Sequence, residues 1–314
     1  MAPWAAAVFL HGSGPQDRNE NSPRAPLNVF NTIAADLAAA GVASLRYDKR
    51  GVGESTGEPL SASVHDFAAD AREAVRFLRR THETADLPVF AVGHSEGTTI
   101  ALMLGGEDPR IAGLILLCPA ITPMEEILRR QAASVQEAID RLPPDQRRAS
   151  GIPDGFDQRR TTEEMIAAVR AAPPDQPAIT FMNQQLPVRW FRSHFDLDYA
   201  SLVGGLRCPV LSIGGAKDTQ LPGSDAEAIA AALQGAGGDA TGVVVPDLTH
   251  LLRRTAGDGG VQEYGQLIQQ PIDPGLRAMI VQWLEQHRPD DPPGDGDGPP
   301  AAPPTGPERV RLAP

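Results

Sequence analysis

The sequence predicts an α/β fold in which a mostly parallel sheet is covered by helices on both faces. Short, continuous apolar runs alternate with segments of helical periodicity, as expected for buried strands joined by crossover helices. A long stretch without a strand pattern interrupts this alternation, and the last residues are dominated by Pro, Gly, Asp and Ala. These features predict a sheet domain with a helical insertion and a terminal tail.

Six segments have the apolar character of strands buried on both sides. They are residues 5–10, 42–47, 89–92, 111–117, 210–213 and 243–245. The first run leads directly into His11 and has neither a basic segment before it nor a cleavage site. It therefore predicts a core strand rather than a signal peptide.

The segments between these runs have helical spacing. The apolar residues Phe30, Ile33, Ala34 and Leu37 predict a helix that stops at Gly41, and residues 98–104 predict a short helix. Ser63 and Asp66 form a capping-box pattern before an apolar stripe of Val64, Phe67, Ala68, Ala71, Val75 and Leu78. The last helix carries Leu276, Met279, Ile280, Trp283 and Leu284 on one face.

These patterns divide the chain into three parts. Residues 1–118 and 206–287 form the predicted core, and residues 119–205, which show helical stretches but no clear strand, form a predicted cap insertion. Residues 288–314 have too few apolar side chains to offset the entropy of ordering, so they are predicted to be disordered.

The amino-acid composition argues against some classes of binding partner. The net charge of -12 argues against nucleic acid or an anionic membrane as the main partner, and no apolar run is long enough to span a bilayer. Cys118 and Cys208 fall at opposite ends of neighbouring predicted strands, beyond disulfide reach, and are predicted to be free thiols. Free thiols and the missing signal peptide lead us to expect a cytoplasmic protein that acts on a small molecule.

The segment Gly93-His94-Ser95-Glu96-Gly97 follows a predicted strand and precedes a predicted helix. A serine in this strand–turn–helix context is the nucleophile elbow of a serine hydrolase, whose sharp turn needs glycine neighbours. An ordinary glycine-flanked turn is the alternative. We predict that Ser95 is a catalytic nucleophile at the N-terminal end of a helix, where developing negative charge is favoured.

An acyl-transfer enzyme also needs two N–H donors for the oxyanion. We assign these to the backbone N–H groups of Glu96, which follows the nucleophile, and of Ser13 in the loop after the first strand, with Gly14 as the alternative. The side chains of His11 and His94 are expected to brace these turns without transferring protons.

The order of residues along the sequence predicts the acid and the base of the catalytic triad. In this arrangement the serine is followed by an acid and then a histidine, each after a strand, which selects Asp218 and His250. Two other residues are candidates for the acid. Asp225 is predicted to lie in the first turn of a helix, and Asp247 is too close to His250 in sequence to orient it easily. Surface or packing roles are expected for His65, His194 and His287.

The sequence resembles the EstD-like carboxylesterases among bacterial α/β-hydrolases, which are related to dienelactone hydrolase. The resemblance covers about residues 8–286 and is carried by residues 11–18, 46–55, 93–97, 190–192, 208–211 and 217–218. It implies ester hydrolysis on the triad, without a metal or organic cofactor. It also implies that Asp48 and Arg50 form a structural ion pair near the site.

The chain departs from this family at its start. Such folds usually begin with two further strands, but here Met1 falls almost at the third. The strand at 42–47 would then be an open apolar edge. Three hypotheses account for this: the chain is truncated, it starts upstream of Met1, or the edge pairs with another subunit.

The leading functional prediction is a serine carboxylesterase. A thioesterase or peptidase with the same triad is the alternative, because the cap decides the substrate; Trp190 and Phe191 are candidate pocket residues, with Phe195 and Tyr199 beside them. A catalytically silent binding protein on the same fold is the alternative from another class. Dehalogenase or epoxide-hydrolase chemistry is disfavoured, because those enzymes use a carboxylate where Ser95 stands.

Overall fold

The computed structural model describes residues 2–23 and 25–289. Its main sheet has six strands, all parallel, in the order β2-β1-β3-β4-β7-β8. The strands are β1 (Ala5–Leu10), β2 (Val42–Leu45), β3 (Val89–His94), β4 (Ile111–Leu117), β7 (Val210–Gly215) and β8 (Ala240–Val245). All six predicted strands are therefore present, with ends shifted by a few residues.

Helices cover both faces of this sheet. They are α1 (Val29–Ala39), α2 (Val64–Arg80), α3 (Glu96–Glu107), α9 (Asp225–Gly235), α10 (Tyr264–Leu267) and α11 (Pro274–Gln286). α2 begins with the predicted capping box, and its six predicted apolar residues are all buried. Gly41, at φ 77°, follows α1 as the predicted stop.

The alternation of side chains along β1 shows how one strand supports two cores. Ala5, Ala7 and Phe9 pack with α1 and α11 on one face of the sheet. Ala6, Val8 and Leu10 pack with α2, α3 and α9 on the other face. Because both faces are buried, the strand has no polar face and its sequence is apolar throughout.

The insertion between β4 and β7 is mostly helical, as predicted, but it also contains a β-hairpin. Its helices are α4 (Met124–Arg141), α5 (Pro144–Ala149), α6 (Gln158–Ala171), α7 (Val188–Phe195) and α8 (Tyr199–Gly204). Two antiparallel strands, β5 (Ala178–Phe181) and β6 (Gln184–Pro187), correct the prediction that this region has no strand. The hairpin turns at Met182 and Asn183, both at positive φ, without the glycine that usually marks such a turn in sequence.

Several smaller predictions have definite outcomes. Cys118 and Cys208 are both free. None of the described helices combines the length and the apolar character needed to cross a bilayer. Asp48 and Arg50 do not pair with each other as predicted: Asp48 binds Arg18 and Arg50 binds Asp70, each at 2.7 Å. Of the predicted disordered tail, residues 290–314 lie outside the described residues.

Candidate active site

Ser95 lies in a sharp turn between β3 and α3. Its backbone has φ 53° and ψ -121°, a conformation that costs an L-residue on the order of 1–3 kcal/mol. The glycines on either side are required by close packing: a Cβ on Gly93 would lie 2.3 Å from the carbonyl oxygen of Gly97, and a Cβ on Gly97 would lie 1.9 Å from that of Leu10. The turn therefore holds the serine at the carboxyl edge of the sheet.

His250 lies on the loop after β8 and reaches this serine. Its Nε2 is 3.1 Å from Oγ of Ser95, and its Nδ1 is 2.7 Å from Oδ2 of Asp218. Because a carboxylate only accepts hydrogen bonds, Nδ1 carries the proton and Nε2 is left to accept from the serine hydroxyl. The structure thus brings together all three residues that chain order selects.

Asp218 lies in the loop after β7 with its side chain 1% exposed. Oδ1 accepts the N–H groups of Gln220 and Leu221, at 2.8 and 2.9 Å, which leaves Oδ2 for the histidine. Burial alone would raise the pKa of this carboxyl, but His250 and the two N–H donors lower it. The rival acids are used elsewhere, because Asp225 accepts the N–H groups of Ile121 and Thr122, and Asp247 pairs with Lys217.

The two predicted oxyanion donors border the same space. Glu96 is the first residue of α3, so its N–H has no acceptor within the helix. Ser13 lines the pocket that contains Ser95, and a Cβ on the preceding Gly12 would lie 3.3 Å from Cβ of Ser95. The loop after β1 is therefore in contact with the nucleophile.

His94 braces the elbow through a carboxylate that the sequence does not single out. Its Nδ1 lies 2.9 Å from Oε1 of Glu20, and its Nε2 donates to the carbonyl oxygen of His250 at 2.9 Å. Burial would lower the pKa of His94, but the fully buried Glu20 raises it. His11 is also buried, and desolvation lowers its pKa to about 4, so it is neutral at pH 7.

A second buried cluster surrounds the side chain of Glu96. Oε2 pairs with Nζ of Lys49 at 2.5 Å, and Oε1 accepts from the indole N–H of Trp190 and lies 3.3 Å from Nε2 of His194. Burial alone would raise the pKa of Glu96, but the charge of Lys49 and the contact with His194 lower it to about 2. Neither Lys49 nor His194 is predicted from sequence to lie at the site.

The two predicted pocket residues, Trp190 and Phe191, lie on different faces of α7. Trp190 lines the pocket together with His194, one helical turn later, and Tyr199 lines it from α8. Phe191 does not, which corrects the prediction: it packs inside the insertion against Val169 and Val188. Successive residues of a helix point about 100° apart, so adjacent aromatic side chains face different neighbours.

The pocket is small, with a volume of about 150 Å³, and its lining is divided about equally between polar and apolar residues. It lies between α3 and the insertion, and Ala120, Met124, Ile127, Leu128 and Leu221 supply much of its wall. Among the described residues that line it, Glu96 is the only carboxylate, and both of its oxygens already have partners.

One group of metal-binding residue types comes together in the described part of the chain. Candidate ligand atoms of His94, Cys118 and His250 lie within 4.8 Å of one another. Both ring nitrogens of His94 and of His250 already have hydrogen-bond partners. Burial, and then Asp218, hold the pKa of the Cys118 thiol well above its usual value, so this group does not fit a metal ion.

Comparison with known proteins identifies the family. Residues 26–254 match the sequence profile of the serine aminopeptidase S33 family, also described as Hydrolase_4. The chain belongs to this family. As an S33 member it is 27% identical over 282 residues to esterase EstD of Thermotoga maritima, and the match covers 88% of this chain. It spans only 62% of the length of that relative.

Solved structures place this S33 member in the α/β-hydrolase fold. Est1E of Butyrivibrio proteoclasticus, bound to ferulic acid, matches with a TM-score of 0.54 at 14% identity, covering 91% of each chain. The α/β hydrolase GrgF of a Penicillium species matches with a TM-score of 0.54 at 17% identity, covering 90% of each chain. The predicted fold and the predicted EstD-like relationship are therefore confirmed.

Proposed function

We propose that this protein is a serine esterase that hydrolyses small carboxylic esters through an acyl-enzyme on Ser95. The observation that carries the proposal is the continuous hydrogen-bond chain from Ser95 Oγ through His250 to Asp218. An unassisted serine hydroxyl is a weak nucleophile, and this series of hydrogen bonds supplies the base that activates it.

In the proposed reaction, Ser95 Oγ bonds to the ester carbonyl carbon while its proton passes to Nε2 of His250. The N–H groups of Ser13 and Glu96 stabilise the resulting oxyanion. His250 then gives the proton to the departing alcohol oxygen, and the acyl-enzyme forms. Water, activated by the same histidine, breaks the acyl bond and releases the acid.

The composition of the pocket favours an ester over an aminopeptide. An aminopeptidase must neutralise the ammonium group of its substrate, but the one described carboxylate in the pocket lining is already paired with Lys49. A neutral acyl group needs no such partner, and the apolar residues that line part of the pocket suit it. A thioester meets the same requirement, so thioesterase activity is the second candidate.

The test replaces single triad residues. Ser95→Ala should abolish ester turnover and labelling by a fluorophosphonate probe, and Asp218→Asn should lower kcat about 10⁴-fold, because the histidine loses the partner that fixes its tautomer. Asp247→Asn, on the neighbouring loop, is the control and should leave kcat within about twofold of the wild-type value. Unchanged turnover in Ser95→Ala would refute the proposal. A panel of short and long acyl esters, thioesters and aminoacyl amides measures the preference.

We further propose that residues 119–205 act as a cap, since α4, α7 and α8 supply most of the pocket wall opposite α3. We also propose that the outer edge of β2, which pairs only with β1 among the described strands, joins a second copy of the chain. A cytoplasmic location stays a prediction, which the two free thiols support.

A further inference from the structure

Lys49 is a buried cation that the proposed reaction does not use. It follows β2 in the chain, and its side chain is only 6% exposed. Its Nζ donates to the carbonyl oxygen of Gly12 at 2.8 Å and pairs with Glu96 at 2.5 Å. The same nitrogen lies 4.2 Å from the centre of the Phe67 ring. Burying a charge this deeply is costly, so these contacts must compensate for its desolvation.

The contact with Gly12 controls the direction of a catalytic amide. The carbonyl of Gly12 and the N–H of Ser13 belong to one peptide group, and in a trans peptide these two bonds point in opposite directions. An ammonium that holds the carbonyl on one side therefore directs the N–H to the other. It also polarises the amide, which makes the N–H a stronger donor.

Gly12 is held on its other side as well. Its own N–H donates to Oε1 of Glu20 at 3.0 Å, and a Cβ at this position would make a tight contact, at 3.3 Å, with Cβ of Ser95. Gly12, which precedes Ser13, is therefore held at its N–H by the carboxylate of Glu20 and at its carbonyl oxygen by the ammonium of Lys49. Small shifts of this loop are opposed by two charge-assisted hydrogen bonds.

The contact with Glu96 links Lys49 to the second donor. The Glu96 N–H opens α3, and the carboxylate of the same residue is drawn toward Lys49. One ammonium therefore connects the peptide group that carries the Ser13 N–H to Glu96, the residue that carries the second proposed donor. The spacing of the two donors depends on that connection, and an oxyanion hole requires donors already placed at about 2.7–3.1 Å from the developing charge.

We propose that Lys49 is a positioning residue that sets the geometry of the oxyanion hole through the Gly12 carbonyl and the Glu96 carboxylate. The proposal rests on the proposed esterase function. It predicts that loss of Lys49 weakens binding of the transition state more than binding of the substrate, because both hydrogen bonds of the ammonium go to the peptide group and the residue that carry the two donors.

The experiment replaces Lys49 with methionine, which has similar length and no charge. Lys49→Met should lower kcat about 10- to 100-fold with KM changed by less than about threefold, since losing an oxyanion donor outright costs about 10²–10³-fold. Arg50→Met is the matched control: it removes the adjacent cation, whose partner Asp70 lies on α2, and kcat should stay within about twofold.

A second variant separates positioning from folding. Lys49→Met alone leaves the buried charge of Glu96 without its lysine partner, whereas Lys49→Met with Glu96→Gln removes both charges and should recover the thermal stability. If Lys49 only stabilises the fold, this double variant regains kcat along with stability, and the proposal is overturned. If Lys49 positions the amides, stability returns while kcat stays low.

Binding of a trifluoromethyl ketone provides a readout without turnover, because its adduct with Ser95 places an oxyanion in the hole. The inhibitor should bind the double variant about 10- to 100-fold more weakly than the wild type, in parallel with the loss of kcat. Equal affinity would overturn the role of Lys49. A wild-type protein that binds the inhibitor yet hydrolyses no ester or thioester would overturn the proposed function and leave the role of Lys49 standing.

Discussion

Glu20 and His94 form a buried pair directly behind the proposed catalytic base. Glu20 accepts from His94 and from the N–H of Gly12, and His94 donates to the backbone of His250. The pair therefore connects the loop after β1, the elbow and the loop after β8. Removing one partner of a buried charged pair leaves the other uncompensated, which costs about 3–5 kcal/mol.

This pair predicts a stability difference that depends on pH. The pKa of His94 is raised above its ordinary value of 6.5 by Glu20, against the effect of burial. Its contribution to stability is thus complete below pH 6.5 and is lost as the pH rises through the raised pKa. Glu20→Gln should lower the free energy of unfolding by about 3 kcal/mol at pH 6 and by less at pH 10.

Denaturant unfolding at the two pH values measures this effect. Glu83→Gln, at an exposed position, is the control and should change the free energy of unfolding by less than about 0.5 kcal/mol at either pH. An equal loss at pH 6 and pH 10 in Glu20→Gln would show that the charge of His94 is not involved.

At the scale of elements, the contact between α3 and β1 decides whether the elbow can form. Gly97 in the first turn of α3 touches the backbone of β1, whereas Gly106 near the end of the same helix is exposed and has open space around it. The two glycines therefore differ in purpose: one permits close approach of helix and strand, and the other only lowers helix propensity.

Alanine at each position tests this distinction. Gly97→Ala should destabilise the fold by about 3 kcal/mol or more and remove activity, because the methyl group would overlap the Leu10 carbonyl. Gly106→Ala should instead stabilise the protein by about 0.5–1 kcal/mol with unchanged kcat. Thermal unfolding and ester turnover give both results; a tolerated Gly97→Ala would contradict the packing described.

The helix α7 shows that the sequence of a helix does not reveal which of its aromatic residues reaches the pocket. The sequence makes both Trp190 and Phe191 candidate pocket residues, and the structure separates them. Trp190 contacts Glu96, whereas Phe191 packs within the insertion. Both are apolar aromatic residues in one helix. Only the direction in which α7 docks decides which of them reaches the pocket.

At the scale of the whole molecule, β2 forms one edge of the main sheet. The strand has four residues, of which Ser44 is exposed and Val42 is buried. A short edge strand limits uncontrolled pairing, but its outer row of N–H and C=O groups is still able to bind another strand.

The proposed pairing between two copies predicts a dimer whose β2 amides are protected. Light scattering should give about twice the 33.3 kDa mass of the chain. Hydrogen exchange of a peptide covering residues 42–45 should accelerate when the protein is diluted below its dissociation constant. A stable, monodisperse monomer at high concentration would rule out the pairing.

Local sequence patterns are enough to predict the positions of the six strands along the chain, the elbow and the choice of Ser95, Asp218 and His250. These follow from local patterns: apolar runs, a strained glycine-flanked turn, and polar residues placed just after strands whose ends must meet at one edge. Only the folded chain reveals the partners of Asp48 and Arg50, the packing of Phe191, and the link from Lys49 to Gly12 and Glu96. Lys49 is 37 residues from Gly12 and 47 from Glu96 in sequence. Contacts at such separations depend on how helices and loops pack, which no local pattern specifies.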